Sequence, residues 1–247
     1  MDDELHYGVI EGEGVALLTS HPFGPFEPEG RVFALADVRL VAPVLPSKVV
    51  AVGRNYLDHV REMGGDKPPS EPMIFLKPST SVIGPGEPIL LPWQSEQVEH
   101  EAEIAVVIGR LCRDVPEDRV NEVILGYTCA NDVTARDLQR TDGQWGRAKG
   151  FDSFCPLGPW IETDLDVEDA TVTCTVNGEL RQSAVGADMV RAIPELVAWI
   201  SSVMTLLPGD VILTGTPAGV GRLEAGDETS VSISGIGTLT NPVTDRG

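Results

Sequence analysis

The chain has 247 residues, of which 42% are hydrophobic, and it contains 26 glycines and 19 prolines. This length suffices for one large domain or for one domain with a small appendage, and the composition indicates a globular, loop-rich protein. The formal net charge of −20 argues against binding to nucleic acid or to an anionic membrane surface, because such binding requires basic groups that displace phosphate counterions.

Cysteine usage and the chain ends suggest where the protein works. The four cysteines are widely spaced and form no C-x-x-C pair, which is typical of reduced thiols rather than of a disulfide framework or a zinc site. The acidic start, residues 1–4, is unlike the basic start of a signal peptide, and the longest apolar stretch, residues 196–207, is too short to span a bilayer. We therefore expect a soluble, cytoplasmic protein.

The first 45 residues predict a small N-terminal β subdomain. Short strands are expected near residues 7–10, 15–19 and 32–34, and the intervening loop at residues 21–30 contains three prolines that disfavour regular structure. Residues 46–247 would then form one larger domain.

The larger domain opens with a buried strand at residues 48–53 and a short helix at residues 55–63, which Gly64 and Gly65 would end. His59 and Glu62 are three residues apart in this helix, so their side chains are neighbours, and the carboxylate could orient the imidazole as a general base. An ordinary surface pair is the alternative. The glycines and the prolines that follow allow either a mobile lid or a surface helix with a loop.

An alternating stretch at residues 99–109 carries two acidic side chains on one face. Ala102, Ile104, Val106 and Ile108 would share the apolar face of a strand, and Glu101 and Glu103 would share the opposite face. Carboxylates in such a strand are costly unless they are protonated, paired or bound to a metal. The alternative is an edge strand with a solvated acidic face.

The next segments add further candidates. A helix is predicted at residues 117–124, a strand at 126–131 and a second helix at 133–140, which places Asp132 where a strand gives way to a helix. Together with Glu101 and Glu103, Asp132 would supply three carboxylates, a set that prefers Mg²⁺ or Mn²⁺, with Ca²⁺ as an alternative. Asp132 could instead cap the helix. Lys149 could hold an anion or be solvated.

The C-terminal part is predicted to form a hairpin, a helix and three strands. Asn177-Gly178 signals a type I′ turn after a strand at residues 171–176, and helical periodicity covers residues 187–206 with an interruption at Pro194. Strands are expected at residues 211–214, 228–234 and 237–241. Thr214 to Pro217 ends a strand with donors suited to a carboxylate, or forms an ordinary turn.

Taken in order, motifs from Lys48 to Pro242 resemble those of the fumarylacetoacetate hydrolase family. The motifs are VGRNYLDHVREM at residues 52–63, FLKPS at 75–79, EAE at 101–103, NDVTARD at 131–137, AKGFD at 148–152, VNGE at 176–179 and LPGDVILTGTPAGVG at 207–221. No single motif is decisive, but the ordered set is highly specific.

The resemblance implies a strand-dominated α+β fold with a mixed β-sandwich roll, and usually a homodimer. It further implies that Glu101, Glu103 and Asp132 bind Mg²⁺ or Mn²⁺. The resemblance also implies that His59 and Glu62 form a base dyad on a closing lid, and that Lys149 is the site lysine. Three further positions would contact metal ligands or the substrate carboxylate: Arg136, Gln139 and Thr216. The N-terminal segment is shorter than in the fumarylacetoacetate enzymes proper, which argues against that substrate.

The implied activity is that of the acylpyruvate hydrolase, oxaloacetate decarboxylase and 2-hydroxyhepta-2,4-diene-1,7-dioate isomerase branch. A 2-oxo acid could chelate the cation through its carboxylate and keto oxygens, and the cation would stabilise an enolate. We expect cleavage or decarboxylation of a small 2-oxo acid. The alternatives are the dienoate isomerase and a catalytically silent metal-binding scaffold.

Overall fold

The computed structural model describes residues 4–246, and the chain divides into two compact units with the boundary between Leu40 and Val41. The first unit is a three-stranded antiparallel sheet in the order β1-β2-β3, formed by Gly8–Glu11, Gly14–Leu18 and Pro28–Ala34. Strand β3 begins inside the segment predicted as a loop, because Pro28 stands at the start of an edge strand, where no ladder donor is needed. The domain boundary predicted after residue 45 stays a prediction.

The second unit is dominated by strands, which confirms the predicted strand-dominated α+β class. Its strands are β4 (Val49–Gly53), β5 (Met73–Lys77), β6 (Val82–Ile83), β7 (Ile89–Leu91), β8 (Val98–His100), β9 (Ala102–Ile108), β10 (Ile124–Asn131), β11 (Thr134–Ala135), β12 (Cys155–Glu162), β13 (Thr171–Val176), β14 (Glu179–Val185), β15 (Val211–Leu213), β16 (Gly221–Arg222), β17 (Glu228–Ile233) and β18 (Gly237–Asp245). Its α-helices are α1 (Leu57–Glu62), α2 (Arg136–Asp142), α3 (Gly146–Lys149) and α4 (Ile193–Val203). Short 3₁₀ helices cover Leu35–Asp37 in the first unit and Ser79–Ser81, Glu117–Glu122 and Gly186–Asp188 in the second.

Three sheets make up this unit. The largest has seven strands in the order β5-β4-β15-β9-β10-β12-β6, the next has five in the order β14-β13-β17-β18-β7, and the smallest has three in the order β11-β8-β16. The seven-stranded sheet is mixed, since β15 pairs with β4 in parallel and with β9 antiparallel.

Strand β9 lies at the centre of the largest sheet, between β15 and β10, and all seven of its residues are buried. The predicted apolar face is confirmed, because Ala102, Ile104, Val106 and Ile108 all join one core cluster. That cluster also contains residues of α4 and of the five-stranded sheet, so the central strand packs against both. A strand paired on both sides cannot be a solvated edge, and this alternative is wrong.

The predicted helices and turns differ in detail. The helix after Pro116 is a 3₁₀ helix, and the helix expected from residue 133 begins only at Arg136, because Thr134 and Ala135 pair with β8. The type I′ turn is confirmed by positive φ angles of 53° at Asn177 and 80° at Gly178. Among residues 4–246, no helix has the length and apolarity needed to cross a membrane.

Asp210 joins the beginnings of the parallel strands β4 and β15. Its buried carboxylate accepts hydrogen bonds from Ser47 Oγ at 2.6 Å and from the backbone N–H groups of Lys48 and Leu207 at 3.2 and 2.7 Å. It also pairs with the Lys48 ammonium. One side chain therefore accepts hydrogen bonds from the turn before β15 and from the start of β4, and β15 is the neighbour of the central strand β9.

We expect Asp210→Ala to lower the free energy of unfolding by about 3 kcal/mol, because it leaves several donors without their partner. Urea denaturation would measure the change. The matched control is Asp164→Ala at an exposed position, which should alter stability by less than about 0.5 kcal/mol. An Asp210→Ala protein as stable as the control would contradict this account.

Candidate active site

Three buried carboxylates meet at one end of β9 and β10. Oxygen atoms of Glu101, Glu103 and Asp132 lie within 4.8 Å of one another, and none of the three residues is more than 4% exposed. The backbone brings them together, since Glu103 pairs with Ala130 across the sheet and the Asp132 N–H donates to the Glu101 carbonyl at 2.8 Å. Asp132 is not a helix cap, because helix α2 starts four residues later with Ala135 at its cap position.

Two buried lysines neutralise part of this cluster. Lys149 Nζ donates to Glu101 Oε2 and Asp132 Oδ2, both at 2.6 Å, and Lys77 Nζ donates to Asp132 Oδ1 at 2.6 Å. Burial opposes the charge of Lys149, but Asp132 and Glu101 outweigh it and raise the pKa of this ammonium. Lys77 is not among the site residues predicted from the sequence. It lies two residues after Phe75 on β5, so the two side chains project from the same face of this strand.

Arg136, at the start of α2, pairs with two acidic residues at once. Its guanidinium donates to Glu99 Oε2 at 2.6 Å and to Glu101 Oε1 at 2.5 Å, and a third donor reaches Gln139 Oε1 at 2.7 Å. Burial raises the pKa of Glu101, but Lys149 and Arg136 together lower it below its usual range. Glu101 is therefore ionised. Glu99 is engaged by Arg136 and does not belong to the three-carboxylate cluster.

Glu103 is the exception within the cluster. Its Oε2 accepts the Gly215 N–H at 2.6 Å, but among residues 4–246 its carboxylate forms no ion pair. Burial, followed by repulsion from Asp132 and Glu101, raises the pKa of Glu103 well above the ordinary range.

The buried charges balance only while Glu103 keeps its proton. Four buried carboxyl groups face three buried basic groups: Glu99, Glu101, Glu103 and Asp132 against Lys77, Arg136 and Lys149. The cluster offers oxygen atoms alone, which are the ligands that Mg²⁺ and Mn²⁺ prefer. The donor set therefore fits a hard divalent cation, which would take the place of the Glu103 proton.

His59 faces the same cavity from helix α1. Its Nδ1 lies 3.0 Å from Glu62 Oε2, and Glu62 Oε1 accepts the Gly219 N–H at 2.9 Å. His59 is only 6% exposed, so the alternative of an ordinary surface pair is wrong. The helix is also anchored through Asn55, whose amide donates to the Thr214 carbonyl at 2.8 Å. Whether α1 opens as a lid stays a prediction.

The Thr216 hydroxyl is engaged within the protein. It donates to the Ala102 carbonyl at 2.8 Å and accepts from Gln182 Nε2 at 2.8 Å. Gln182 in turn accepts the Ala102 N–H at 3.0 Å, so this pair holds the start of β9 from the neighbouring sheet. No feature of the sequence singles out Gln182, because it lies on the second strand of a hairpin in which most residues are polar.

The cavity gathers nearly all of the predicted site residues. Eight of the nine predicted site residues line the cavity: His59, Glu101, Glu103, Asp132, Arg136, Gln139, Lys149 and Thr216. The ninth, Glu62, contacts the cavity through its hydrogen bond to His59. The predicted catalytic and substrate-binding roles remain predictions. Burial raises the pKa of the Cys129, Cys155 and Cys174 thiols to about 12, which disfavours the thiolate at these three positions.

Comparison with known proteins places this arrangement in context. Residues 48–244 match the family model described as fumarylacetoacetate (FAA) hydrolase C-terminal, and residues 1–43 match the Rv2993c-like N-terminal model. Protein Rv2993c of Mycobacterium tuberculosis is 57% identical over 93% of this chain and 88% of its own length. The mitochondrial oxaloacetate tautomerase Fahd2a of Rattus norvegicus is 37% identical over 98% of this chain and 88% of its own length.

Solved structures agree with the sequence matches. The 5-carboxymethyl-2-hydroxymuconate delta-isomerase from Mycobacterium smegmatis has a TM-score of 0.93 at 54% identity and covers 99% of this chain and 97% of its own. The maleylpyruvate hydrolase from Sphingobium sp. SYK-6, in complex with manganese(II) and pyruvate, has a TM-score of 0.82 at 31% identity, with coverages of 98% and 97%.

Metal binding should release a proton from Glu103. Because the pKa of this carboxyl is raised, it retains a proton that a cation must displace, and affinity for Mn²⁺ should therefore rise as pH increases above the ordinary carboxyl range. Calorimetric titration of Mn²⁺ in buffers of different ionisation enthalpy would measure the released proton.

The variant Glu103→Gln should weaken Mn²⁺ binding by more than about tenfold and abolish the proton release. Glu99→Gln is the matched control, since Glu99 is buried nearby but lies outside the cluster, and its proton release should persist. Tight binding by Glu103→Gln with unchanged proton release would contradict the assignment.

Proposed function

The chain belongs to the fumarylacetoacetate hydrolase family and is an enzyme, and we propose that, with a divalent metal ion, it catalyses proton transfer at carbon 3 of a small 2-oxo acid. The reaction is a keto–enol tautomerisation or a double-bond isomerisation. The observation that carries the proposal is the His59–Glu62 dyad, which faces the buried carboxylate cluster across one cavity. A group that binds the 2-oxo end and a base that removes a proton beside it are the two parts that this reaction requires.

The carboxylate cluster supports the metal requirement. Glu101, Glu103 and Asp132 would hold Mg²⁺ or Mn²⁺, and a cation there would supply Lewis-acid stabilisation of the negative charge that develops when carbon 3 loses a proton. The similar maleylpyruvate hydrolase was solved with manganese(II) and pyruvate, a 2-oxo acid. The ion pairs of Lys149 with Glu101 and Asp132 orient both carboxylates, and Lys149 also lowers the pKa of Glu101.

The dyad defines how the proton moves. The hydrogen bond to Glu62 assigns the imidazole proton to Nδ1 and leaves the Nε2 lone pair of His59 free to accept the proton from carbon 3. The Glu62 carboxylate stabilises the resulting imidazolium, and the Gly219 N–H keeps Glu62 in position. His59 then returns the proton to the enol oxygen or to a carbon further along the conjugated chain.

Arg136 and Gln139 line the cavity beside the cluster. Three donors of the Arg136 guanidinium already serve protein acceptors, so its main part in this scheme is to orient Glu101. A contact of Arg136, Gln139 or Thr216 with the substrate carboxylate is consistent with their place in the lining.

Carbon–carbon bond cleavage is the second candidate, favoured by the same dyad. His59 could remove a proton from water instead of from carbon 3, which would hydrolyse a 1,3-diketo acid. Decarboxylation of oxaloacetate would not need the dyad. Relatives named for tautomerase and isomerase activity share 37% and 54% identity with this chain, against 31% for the maleylpyruvate hydrolase, which supports proton transfer as the first candidate.

A substrate panel tests the proposed reaction. We expect the purified protein with Mg²⁺ or Mn²⁺ to accelerate the conversion of enol-oxaloacetate to its keto form, followed by loss of enol absorbance, and EDTA to abolish the acceleration. Acylpyruvates and dienoic 2-hydroxy diacids would be assayed in parallel. Metal-dependent cleavage of an acylpyruvate without any tautomerase or isomerase activity would favour the second candidate. Absence of turnover on the whole panel would contradict both.

Removal of the base should separate the reactions. We expect His59→Ala to lower kcat for tautomerisation by about 10²–10⁴ while leaving Mn²⁺ affinity close to that of the unaltered protein, because the imidazole moves a proton and is not among the three clustered carboxylates. Oxaloacetate decarboxylation should fall much less.

Asp58→Asn is the matched control for this variant. Asp58 lies on the same helix but is exposed and pairs only with Arg61, so its replacement should not alter kcat. Equal losses of tautomerase and decarboxylase activity in His59→Ala would refute the role of His59 as a base.

A further inference from the structure

Arg54 is a basic residue of the cavity that the chemistry described above leaves unused. It follows the last residue of β4, is exposed, and lines the same cavity as the carboxylate cluster. The other lining arginine and lysine, Arg136 and Lys149, are both engaged by buried carboxylates. Within residues 4–246, no acidic side chain forms an ion pair with Arg54. Its guanidinium is therefore available for an anion that the protein does not supply.

The backbone holds Arg54 in an unusual conformation. Its φ angle is 63°, in the left-handed region that arginine rarely adopts. On one side, Asn55 is tied by hydrogen bonds to the Thr214 carbonyl at 2.8 Å and to the Arg191 N–H at 2.9 Å. On the other, Gly53 packs so closely against Trp145 that a Cβ there would lie 2.8 Å from the indole ring. Both neighbours of Arg54 are held in place by these contacts, so its backbone keeps a left-handed φ angle that an unconstrained arginine would rarely adopt.

An aromatic wall connects the carboxylate cluster with this position. Lys149 Nζ, bonded to the cluster, lies 5.0 Å from the centre of the Phe75 ring, and Phe75 meets Trp145 edge to face with 5.2 Å between ring centres. Trp145 then lies against Gly53, the neighbour of Arg54. Two aromatic rings thus lie between the polar cluster and the backbone next to Arg54, and all of them line one cavity, a surface suited to a planar, unsaturated or enolised carbon chain.

We propose that Arg54 binds a second carboxylate at the far end of the substrate and makes the enzyme selective for 2-oxo dicarboxylic acids. This inference rests on the proposed function, because it takes the 2-oxo end to lie at the carboxylate cluster. A guanidinium recognises a carboxylate through paired, charge-assisted hydrogen bonds, and a terminal methyl group in its place would forfeit them.

Two substrates of equal chain length test the proposal. Succinylpyruvate and butyrylpyruvate differ only in a terminal carboxylate or methyl group, and the readout is the ratio of their kcat/KM values for metal-dependent enol-to-keto conversion. We expect the unaltered enzyme to prefer the diacid, and Arg54→Asn to reduce that preference by about 10- to 100-fold, mainly through KM. Asparagine tolerates a left-handed φ, so this variant removes the guanidinium without straining the fold.

Two further variants control the result. Arg54→Lys keeps the charge but not the planar fork, and it should retain part of the preference. Arg61→Gln alters an exposed arginine on α1 that pairs with Asp58 and does not line the cavity, and it should keep the full preference. An unchanged ratio in Arg54→Asn, or no preference in the unaltered enzyme, would overturn the proposal.

A binding measurement separates this proposal from the proposed function. Calorimetric titration of the same two acids in the presence of Mn²⁺ reports selectivity even where turnover is absent. Absence of metal-dependent enol-to-keto conversion for both acids would speak against the proposed function, whereas selective binding lost in Arg54→Asn would still support the assignment of Arg54. Equal binding of both acids by the unaltered protein would refute it.

Discussion

The burial of several negative charges beside one central strand is the constraint on which the rest of this site depends. Glu101, Glu103 and Asp132 are almost inaccessible to water, and like charges at such distances are tolerated only where cations compensate them. The protein supplies compensation from Lys77, Lys149 and Arg136, but within residues 4–246 it leaves Glu103 without an ion pair, and the raised pKa of Glu103 favours the protonated carboxyl. A divalent cation would displace this proton and compensate all three carboxylates together.

This constraint also explains why the site is built from distant parts of the chain. Strand β9 cannot hold its carboxylates alone, so β5 contributes Lys77, α3 contributes Lys149 and the start of α2 contributes Arg136. Each of these groups is held by a regular element or lies next to one, and the strand is paired on both sides. The carboxylates are therefore held by regular elements on several sides, which is what the proposed proton transfer would require of them.

The basic half of the site is built differently. His59 is carried by a helix of six residues, and that helix is joined to the strand core through Asn55 and through the bond of Glu62 to the Gly219 N–H. Few contacts of this kind restrain it compared with the central sheet. The two sides of the cavity are therefore held in different ways, and the lid role of α1 stays a prediction.

Local pattern in the sequence determined a substantial part of the fold. Alternation at residues 102–108 predicted which side chains face the core and that Glu101 and Glu103 share the other side, and Asn177-Gly178 predicted the hairpin turn. These features depend on residues close together in the chain, where the period of a strand and the φ preference of a turn residue act directly. The ordered family motifs added the grouping of the nine predicted site residues.

Tertiary structure alone decided the rest. It showed that β9 is central and not an edge, that Asp132 precedes a short paired strand and does not cap a helix, and that Glu99 is engaged by Arg136. It also revealed Lys77 as a partner of Asp132, and Arg54 as a cavity arginine that forms no ion pair with any acidic side chain of residues 4–246. The physical reason is common to all five: strand order and ion pairing join residues that lie far apart in the chain, and no local periodicity encodes which distant charge will face a given side chain.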